Sequence, residues 1–307
     1  MKAIMYHYVR PEPADLPHLH YLSWRDFKRQ LDWFERTYGF MDREDFFRCF
    51  ESGETGEGVV LTFDDGFSDH WEYVFAELTE RGLWGIFYIP TAILEPSKLL
   101  DVHRIHVILG KLGGVKALHL LEAILSENML SHDHIEEFRG LTYQRQSSDD
   151  ATLQFKRILN YFVAYRYRET ILDQLISRCL DGGDEAGLAR RYYLHADQVR
   201  EMHEKGMVIG SHGVNHLVMS KLSATEQRFE IAQSFATLKD MLGVEACTFC
   251  YPYGGNHSFT RDTVNLLAEQ GCSFSFNVDP RDVEDEDLAE RRQELPRFDC
   301  NQFPPQH

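Results

Sequence analysis

Cysteine is scarce in this chain of 307 residues: six thiols are scattered at Cys49, Cys179, Cys247, Cys250, Cys272 and Cys300. Such a sparse set excludes a disulfide-stapled scaffold and predicts reduced thiols. Cys247 and Cys250 form one CxxC, but a zinc ribbon needs a second pair, so a buried strand is the better reading of that segment. Basic residues are also short. Against 49 acidic side chains stand 32 Lys and Arg, a formal charge of −17. With no basic cluster to meet phosphates, the composition argues against nucleic-acid binding. No apolar run approaches the length of a membrane span. The opening Met1 to Arg10 has too short an apolar stretch and no small-residue cleavage site for a signal peptide, so the expected compartment is the cytoplasm. No internal repeat is visible. What is present, 43% hydrophobic and 13% aromatic residues, belongs to a folded globule large enough to bury a core unaided. The length fits one or two domains, a single α/β barrel included.

The apolar pattern alternates between two periods. Ala3 to Val9 reads as a short buried strand. Ser23 is placed to cap a helix whose Trp24, Phe27, Leu31 and Phe34 recur at helical spacing, and Asp42 opens a second helix carrying Phe46, Phe47 and Phe50. Gly58 to Phe63 is continuously apolar, as strands of a parallel sheet are when both faces are covered. A helix closed by Gly82 and a strand from Trp84 to Ile89 complete a βαβ unit. From 92 to 193 the chain is leucine- and charge-rich, with helical periods and no strand, and reads as a helical insertion or subdomain. The strand–helix rhythm then returns: strands at Met207 to Gly210, Thr248 to Tyr251, Cys272 to Val278 and Leu295 to Cys300, with a capping box at Ser223 and Glu226. The acidic stretch Asp279 to Glu290 reads as a solvated loop. The expected domains are 1–91 with 194–307, and the insertion 92–193.

Three polar clusters follow predicted strands. In Thr62-Phe63-Asp64-Asp65-Gly66, two adjacent carboxylates repel unless a cation compensates them. Taken alone the segment also fits a polar turn. In Ser211-His212-Gly213-Val214-Asn215-His216, two imidazoles at i and i+4 can converge on one ion, or be surface or capping histidines. Strand carboxyl ends in a parallel α/β fold form one face, where sites are built. Asp65, His212 and His216 together would make a catalytic zinc set with an open position for water, whose acidity the metal raises. Asp64 would stand by to take the proton. The third cluster, Tyr251-Pro252-Tyr253-Gly254-Gly255, permits close backbone approach to a ligand, where an N–H can stabilise an oxyanion, and is equally an ordinary turn.

In this order, TFDDG, SHGVNH and YPYGG resemble the successive motifs of the polysaccharide deacetylases (carbohydrate esterase family 4, the NodB homology domain). The resemblance implies an α/β fold, a deformed (β/α) barrel of about seven strands, here with a helical insertion, and metal-dependent removal of an N-acetyl group from an amino sugar. It assigns Asp64 as base, Asp65, His212 and His216 as metal ligands, and Tyr253 as the donor whose backbone N–H holds the oxyanion. Two positions depart from the pattern. The usual base-orienting Arg of the third motif is Cys250 here, and Arg297 is the candidate substitute, with a surface arginine as the alternative. The usual C-terminal acid histidine is lacking, since that part of the chain offers only His257 and His307. Tyr6-His7-Tyr8-Val9 resembles the opening of the circularly permuted branch, which includes poly-N-acetylglucosamine deacetylases, and makes His7 the expected general acid; the alternative is a core histidine bonded to the backbone.

The expected function is therefore a divalent-metal hydrolase, zinc by ligand type, acting on an oligosaccharide or a nucleotide- or lipid-linked amino sugar. Competing expectations are a catalytically silent glycan-binding scaffold, and a related hydrolase of a formyl amide, an O-acetyl ester or a sugar carboxamide. His103 and His106 read as packing or partly exposed residues, and His132 and His134 lie in a polar stretch with no strand nearby. Oligomeric state is not encoded in any feature of the chain.

Overall fold

A computed structural model describes residues 1–131, 135–144, 146, 148–180 and 183–305. His132, His134 and His307 lie outside them. The chain divides into two compact units. One comprises Met1–Pro11, Tyr21–Glu95 and Arg190–His307, and the other Glu12–His20 with Pro96–Ala189.

The first unit is built on nine strands: β1 Lys2–Tyr6, β2 Val9–Arg10, β3 Leu22–Ser23, β4 Val59–Phe63, β5 Ile86–Ile89, β6 Val208–Ser211, β7 Thr248–Cys250, β8 Phe274–Phe276 and β9 Phe298–Asp299. Seven form one parallel sheet in the order β8-β7-β6-β5-β4-β1-β9, and β2 pairs with β3 separately. The sheet curls into a half-barrel with helices around it, the deformed barrel that the motifs imply. Its registers run Lys2 opposite Val59 to Tyr6 opposite Phe63, and Ile86 opposite Val208 to Ile89 opposite Ser211. Every residue of β4 to β8 is buried, which is why these segments read as continuous apolar runs. Alternate residues face opposite layers. Ala3, Val60, Ile86, Tyr88, Val208, Cys250 and Phe276 share one core cluster. From the other face, Tyr6 and Phe63 pack on Phe27 of the helix Trp24–Thr37. That helix starts where Ser23 Oγ accepts the Asp26 N–H at 3.1 Å. Truncating fully buried Phe27 to alanine should cost about 3–5 kcal/mol.

Three local expectations need correction. The strand expected from Ala3 to Val9 divides at His7, whose carbonyl is bonded to the His70 ring at 2.8 Å instead of a sheet neighbour. The strand expected from Cys272 to Val278 is confined to Phe274–Phe276. Asp279 to Glu290 is not simply a solvated loop: Asp285–Glu290 is helical, and Asp287 is buried because Arg281 binds it at 2.6 and 2.8 Å while it accepts the Glu284 N–H at 3.0 Å. The helix before Gly82 also begins with a π-helical segment, His70–Phe75, and such segments are frequent at functional sites.

The second unit is helical, with Asp101–Leu112, Gly114–Glu122, Ile135–Leu141, Asp150–Arg157 and Tyr165–Cys179 its main elements. Asp149 caps one of them by accepting the Thr152 N–H at 2.9 Å. Two arginines are buried: Arg104 binds Glu185 at 2.7 and 2.9 Å and pairs with Asp173, and Arg168 donates to Asn160 at 3.1 Å. His103 is fully buried and His106 partly so. All six cysteines are free thiols. No helix of the described residues is long and apolar enough to cross a membrane.

Candidate active site

Because the sheet is parallel, the residues following β1, β4, β6 and β7 emerge on one edge. His7, Asp64 and Asp65, Ser211 to His216, and Tyr251 to Tyr253 are brought there from four strands. Asp64, Asp65, His212 and His216 are all at most 5% exposed.

Arg297 enters from the segment before β9 and is fully buried. Its guanidinium makes a two-pronged contact with Asp64, Nη1 to Oδ1 at 2.9 Å and Nη2 to Oδ2 at 2.8 Å. The fork is held by Thr62 Oγ1 at 2.9 Å, itself bonded to the Ile4 carbonyl, and by Cys250 Sγ at 2.9 Å. Tyr88 and Phe276 lie over it. Cys250, the position where an arginine is usual, thus contacts the guanidinium that comes from elsewhere. Burial by itself would push the Asp64 carboxyl up. The Arg297 charge and hydrogen bonds outweigh it, helped by His212 and His7, and bring it to about 2. Asp64 is therefore an oriented carboxylate at any working pH.

Asp65 faces the two histidines. Its Oδ1 lies 3.5 Å from His212 Nε2 and 3.1 Å from His216 Nε2. One ligand atom from each of the three residues falls within 4.8 Å of the others. His212 Nδ1 lies 2.7 Å from the Cys250 carbonyl; donating there fixes the tautomer and leaves the Nε2 lone pair directed at Asp65. Burial pulls the His212 imidazole down, but Cys250, Asp65 and Asp64 outweigh it and hold it well above the ordinary range, so the acids favour positive charge at Nε2, either as a proton or as a cation taking the lone pair in the proton's place. A carboxylate and two imidazoles with an oriented lone pair, at a buried point, form a donor set that fits a divalent cation.

The loop carrying the histidines is held from below. Glu230, 1% exposed on the helix Ala224–Leu242, accepts the Val214 N–H at 2.8 Å, the Asn215 N–H at 2.9 Å and the Asn215 side-chain amide at 2.7 Å. Gly213, at φ +75°, passes so close that a Cβ would sit 3.0 Å from the Glu230 carboxylate. Backbone bonds from Thr91 and Ala92 to the carbonyls of Gly213 and Val214 fix the other side. Four non-glycine residues among those described have positive φ: Asp65 (79°), His216 (54°), Tyr253 (69°) and, in the helical unit, Tyr143 (58°). Such backbone is costly for residues with a Cβ and clusters at functional sites.

His7 is half-buried, and its charge acts on Asp64. The His7 carbonyl is tied to fully buried His70, which burial pulls down to about 4 and so keeps neutral. The Tyr253 ring stands 5.0 Å from that of His216. All seven residues singled out from the sequence thus lie in the first unit: six follow β1, β4, β6 and β7, and Arg297, from before β9, reaches Asp64 with its side chain. Three supporting residues escaped sequence reasoning: Glu230, Asn277 (whose carbonyl faces Arg297 Nε at 3.4 Å) and Thr62 as a partner of Arg297. Only Thr62 carried a signal, as the one polar residue in an otherwise apolar run. His70, which follows the TFDDG motif and so could be expected to line the cleft but carries no role on sequence alone, holds the His7 carbonyl.

Comparison with known proteins bears on the family and the fold. The family model described as polysaccharide deacetylase matches residues 154–275, which include the histidine motif and the Tyr-Pro-Tyr turn. The curated protein "Putative polysaccharide deacetylase YxkH" of Bacillus subtilis (strain 168) is 24% identical over 93 residues, 30% of this chain and 32% of its own length, so the match spans about a third of that relative. Among solved structures, the Streptococcus pyogenes deacetylase PplD in complex with acetate superposes with a TM-score of 0.59 at 15% identity, covering 97% of this chain and 91% of that one. IcaB from Ammonifex degensii gives 0.51 at 18% identity, covering 90% and 82%. The BpsB deacetylase domain from Bordetella bronchiseptica gives 0.53 at 14%, covering 97% and 94%. The chain has the deacetylase barrel fold. The likeness to the polysaccharide deacetylases is borne out by the family model, which spans the second and third motifs, and by the architecture.

Proposed function

We propose that this protein is a metal-dependent hydrolase that removes the acetyl group from an N-acetylated amino sugar, presented as an oligosaccharide or as a nucleotide- or lipid-linked sugar, in the cytoplasm. One observation carries the reading: Asp65, His212 and His216 converge beside a carboxylate, Asp64, that an arginine holds ionised and oriented. Asp65, His212 and His216 would hold the ion, zinc by donor type. When bound it supplies Lewis acidity and a water acidified towards neutrality.

The chain's own residues supply the rest. Asp64 accepts a proton from the attacking water, and Arg297 keeps its carboxylate pointed at that proton. The Tyr253 N–H, presented by a backbone at φ 69°, donates to the oxygen of the acetamide carbonyl as charge builds on it. His7 gives a proton to the leaving nitrogen. The carbonyl carbon gains an oxygen from water, the C–N bond breaks, and acetate and an amine leave.

The test combines elemental analysis of protein purified without added metal with measurement of acetate, formate and ammonia released from candidate sugars. Acetate release that stops on chelation and returns with zinc supports the reading. Formate or ammonia in place of acetate would move it to a formyl amide or a carboxamide. No bound ion and no rescue by any divalent metal would remove it.

A further inference from the structure

Arg10 is held on three sides in a way the proposed chemistry does not use. It lies in β2, three residues beyond His7. Its Nε donates to Asp69 at 2.6 Å, and Asp69 lies four residues beyond Asp65. The guanidinium stands over the Tyr8 ring at 4.8 Å and over the Tyr192 ring at 5.5 Å. The Tyr192 hydroxyl donates to that of Tyr8 at 2.9 Å, and the Tyr8 ring stacks at 4.1 Å on Phe67, two residues from Asp65. The negative charge of Asp65 is felt at both phenols. Arg10 is therefore fixed in place a short distance from the carboxylate and imidazole cluster.

A guanidinium has five N–H donors in a rigid fork, and buried donors are normally all matched. Only the Nε of Arg10 has an acceptor among the described residues. The two terminal amino groups have none, yet the side chain is 12% exposed. Asp69 and the two rings set the plane of the fork, so little side-chain freedom is left to lose on binding a ligand. Two parallel N–H groups on a fixed plane match the two oxygens of a carboxylate or phosphate. On a protein of net charge −17, such a cation is what would let an anionic group approach the cleft.

We infer that Arg10 forms a subsite for an oxyanion, phosphate or carboxylate, carried by the sugar substrate next to the N-acetyl group. This rests on the deacetylase reading for its substrate but not for the binding itself. Such a subsite selects anionic sugars, such as a sugar phosphate or an acidic sugar, over neutral oligosaccharides.

Two measurements test it on the full chain. The first compares kcat/KM for neutral, phosphate-bearing and carboxylate-bearing N-acetylated sugars in wild type, Arg10→Gln and Arg10→Lys. The second titrates inorganic phosphate calorimetrically into the same three proteins. Expected results are a tenfold or greater preference of the wild type for one anionic sugar, its loss in Arg10→Gln, and weaker phosphate binding in both variants. Which anionic sugar is preferred tells phosphate from carboxylate. Arg10→Lys keeps a cation beside Asp69, so it carries the test if Arg10→Gln does not fold. Equal losses on neutral and anionic sugars would overturn the subsite in favour of hydroxyl contacts. Phosphate binding alike in all three proteins would also overturn it. Arg10-dependent phosphate binding without acetate release from any sugar would keep the subsite and sink the deacetylase. Acetate release with no anion preference would do the reverse.

Discussion

Both units bury arginine against acid, and the two cases differ in what surrounds the pair. In the helical unit, Arg104 meets Asp173, which is 56% exposed, and Glu185, which is 18% exposed, so the acids reach water and the arrangement ties helices together. In the barrel unit, Arg297 and Asp64 are 0% and 2% exposed, and a second carboxylate and two imidazoles stand alongside. A buried ion pair is weak evidence of function by itself, since its desolvation cost can cancel its attraction. It becomes evidence when one partner's orientation is used by neighbouring groups. The same residue type therefore serves architecture in one unit and, as proposed, chemistry in the other.

Four measurements would break or sharpen that contrast. The largest expected effect is on Asp64→Asn, which keeps its shape beside Arg297 but cannot take a proton: acetate release should fall about 10²–10⁴-fold with the circular dichroism spectrum unchanged. A rate near that of the wild type would put the pair of the barrel in the same class as that of the helical unit. Arg104→Met is the converse. Removing the guanidinium from Asp173 and Glu185, which keep their access to water, should cost about 3 kcal/mol in urea unfolding, while kcat and KM of the folded fraction stay where they were. Next, Glu230→Ala removes three bonds under the histidine loop, and metal affinity by calorimetry should drop about 10–100-fold. An unchanged affinity would show that the loop holds its shape without Glu230.

The smallest effect concerns pH. Burial acts to raise the Asp287 carboxyl, but Arg281, the Glu284 N–H and Arg291 outweigh it and leave it below its usual value. A depressed carboxyl stabilises the fold above its unfolded pKa of about 3.9 and loses that contribution as pH falls through the lower folded value. Asp287→Asn should therefore be less stable than the wild type by about 1.5–3 kcal/mol near neutrality, and the gap should narrow as pH falls below about 4. A constant gap across that range would mean that shape, not charge, is what Asp287 contributes.

Much of the barrel was legible because its strands are covered on both faces and so appear as unbroken apolar runs ended by polar motifs. Helix starts were legible where a capping side chain marks them, as at Ser23 and Ser223. What escaped depends on contacts between segments far apart in sequence. Glu230 sits in a helix whose pattern gives no hint that its carboxylate reaches back to Val214 and Asn215. The π-helical stretch at His70 looks like ordinary helix, since the apolar spacing hardly changes over one turn. Arg297 drew notice only through the unexpected cysteine at position 250, and its contact with Asp64 spans 233 positions. The helix within the acidic stretch was hidden because its compensating arginines, Arg281 and Arg291, flank it rather than alternate with its acids.

The left-handed backbone at Asp65, His216 and Tyr253 has a practical consequence for anyone breeding a hardier version of this protein. At each of these places a glycine would relax the chain, worth roughly 1–2 kcal/mol, and selection for heat resistance alone would drift towards it. At the first two that gain would erase the carboxylate and the imidazole. At Tyr253 the proposed donor belongs to the main chain, so glycine is the one relaxing change that would keep it.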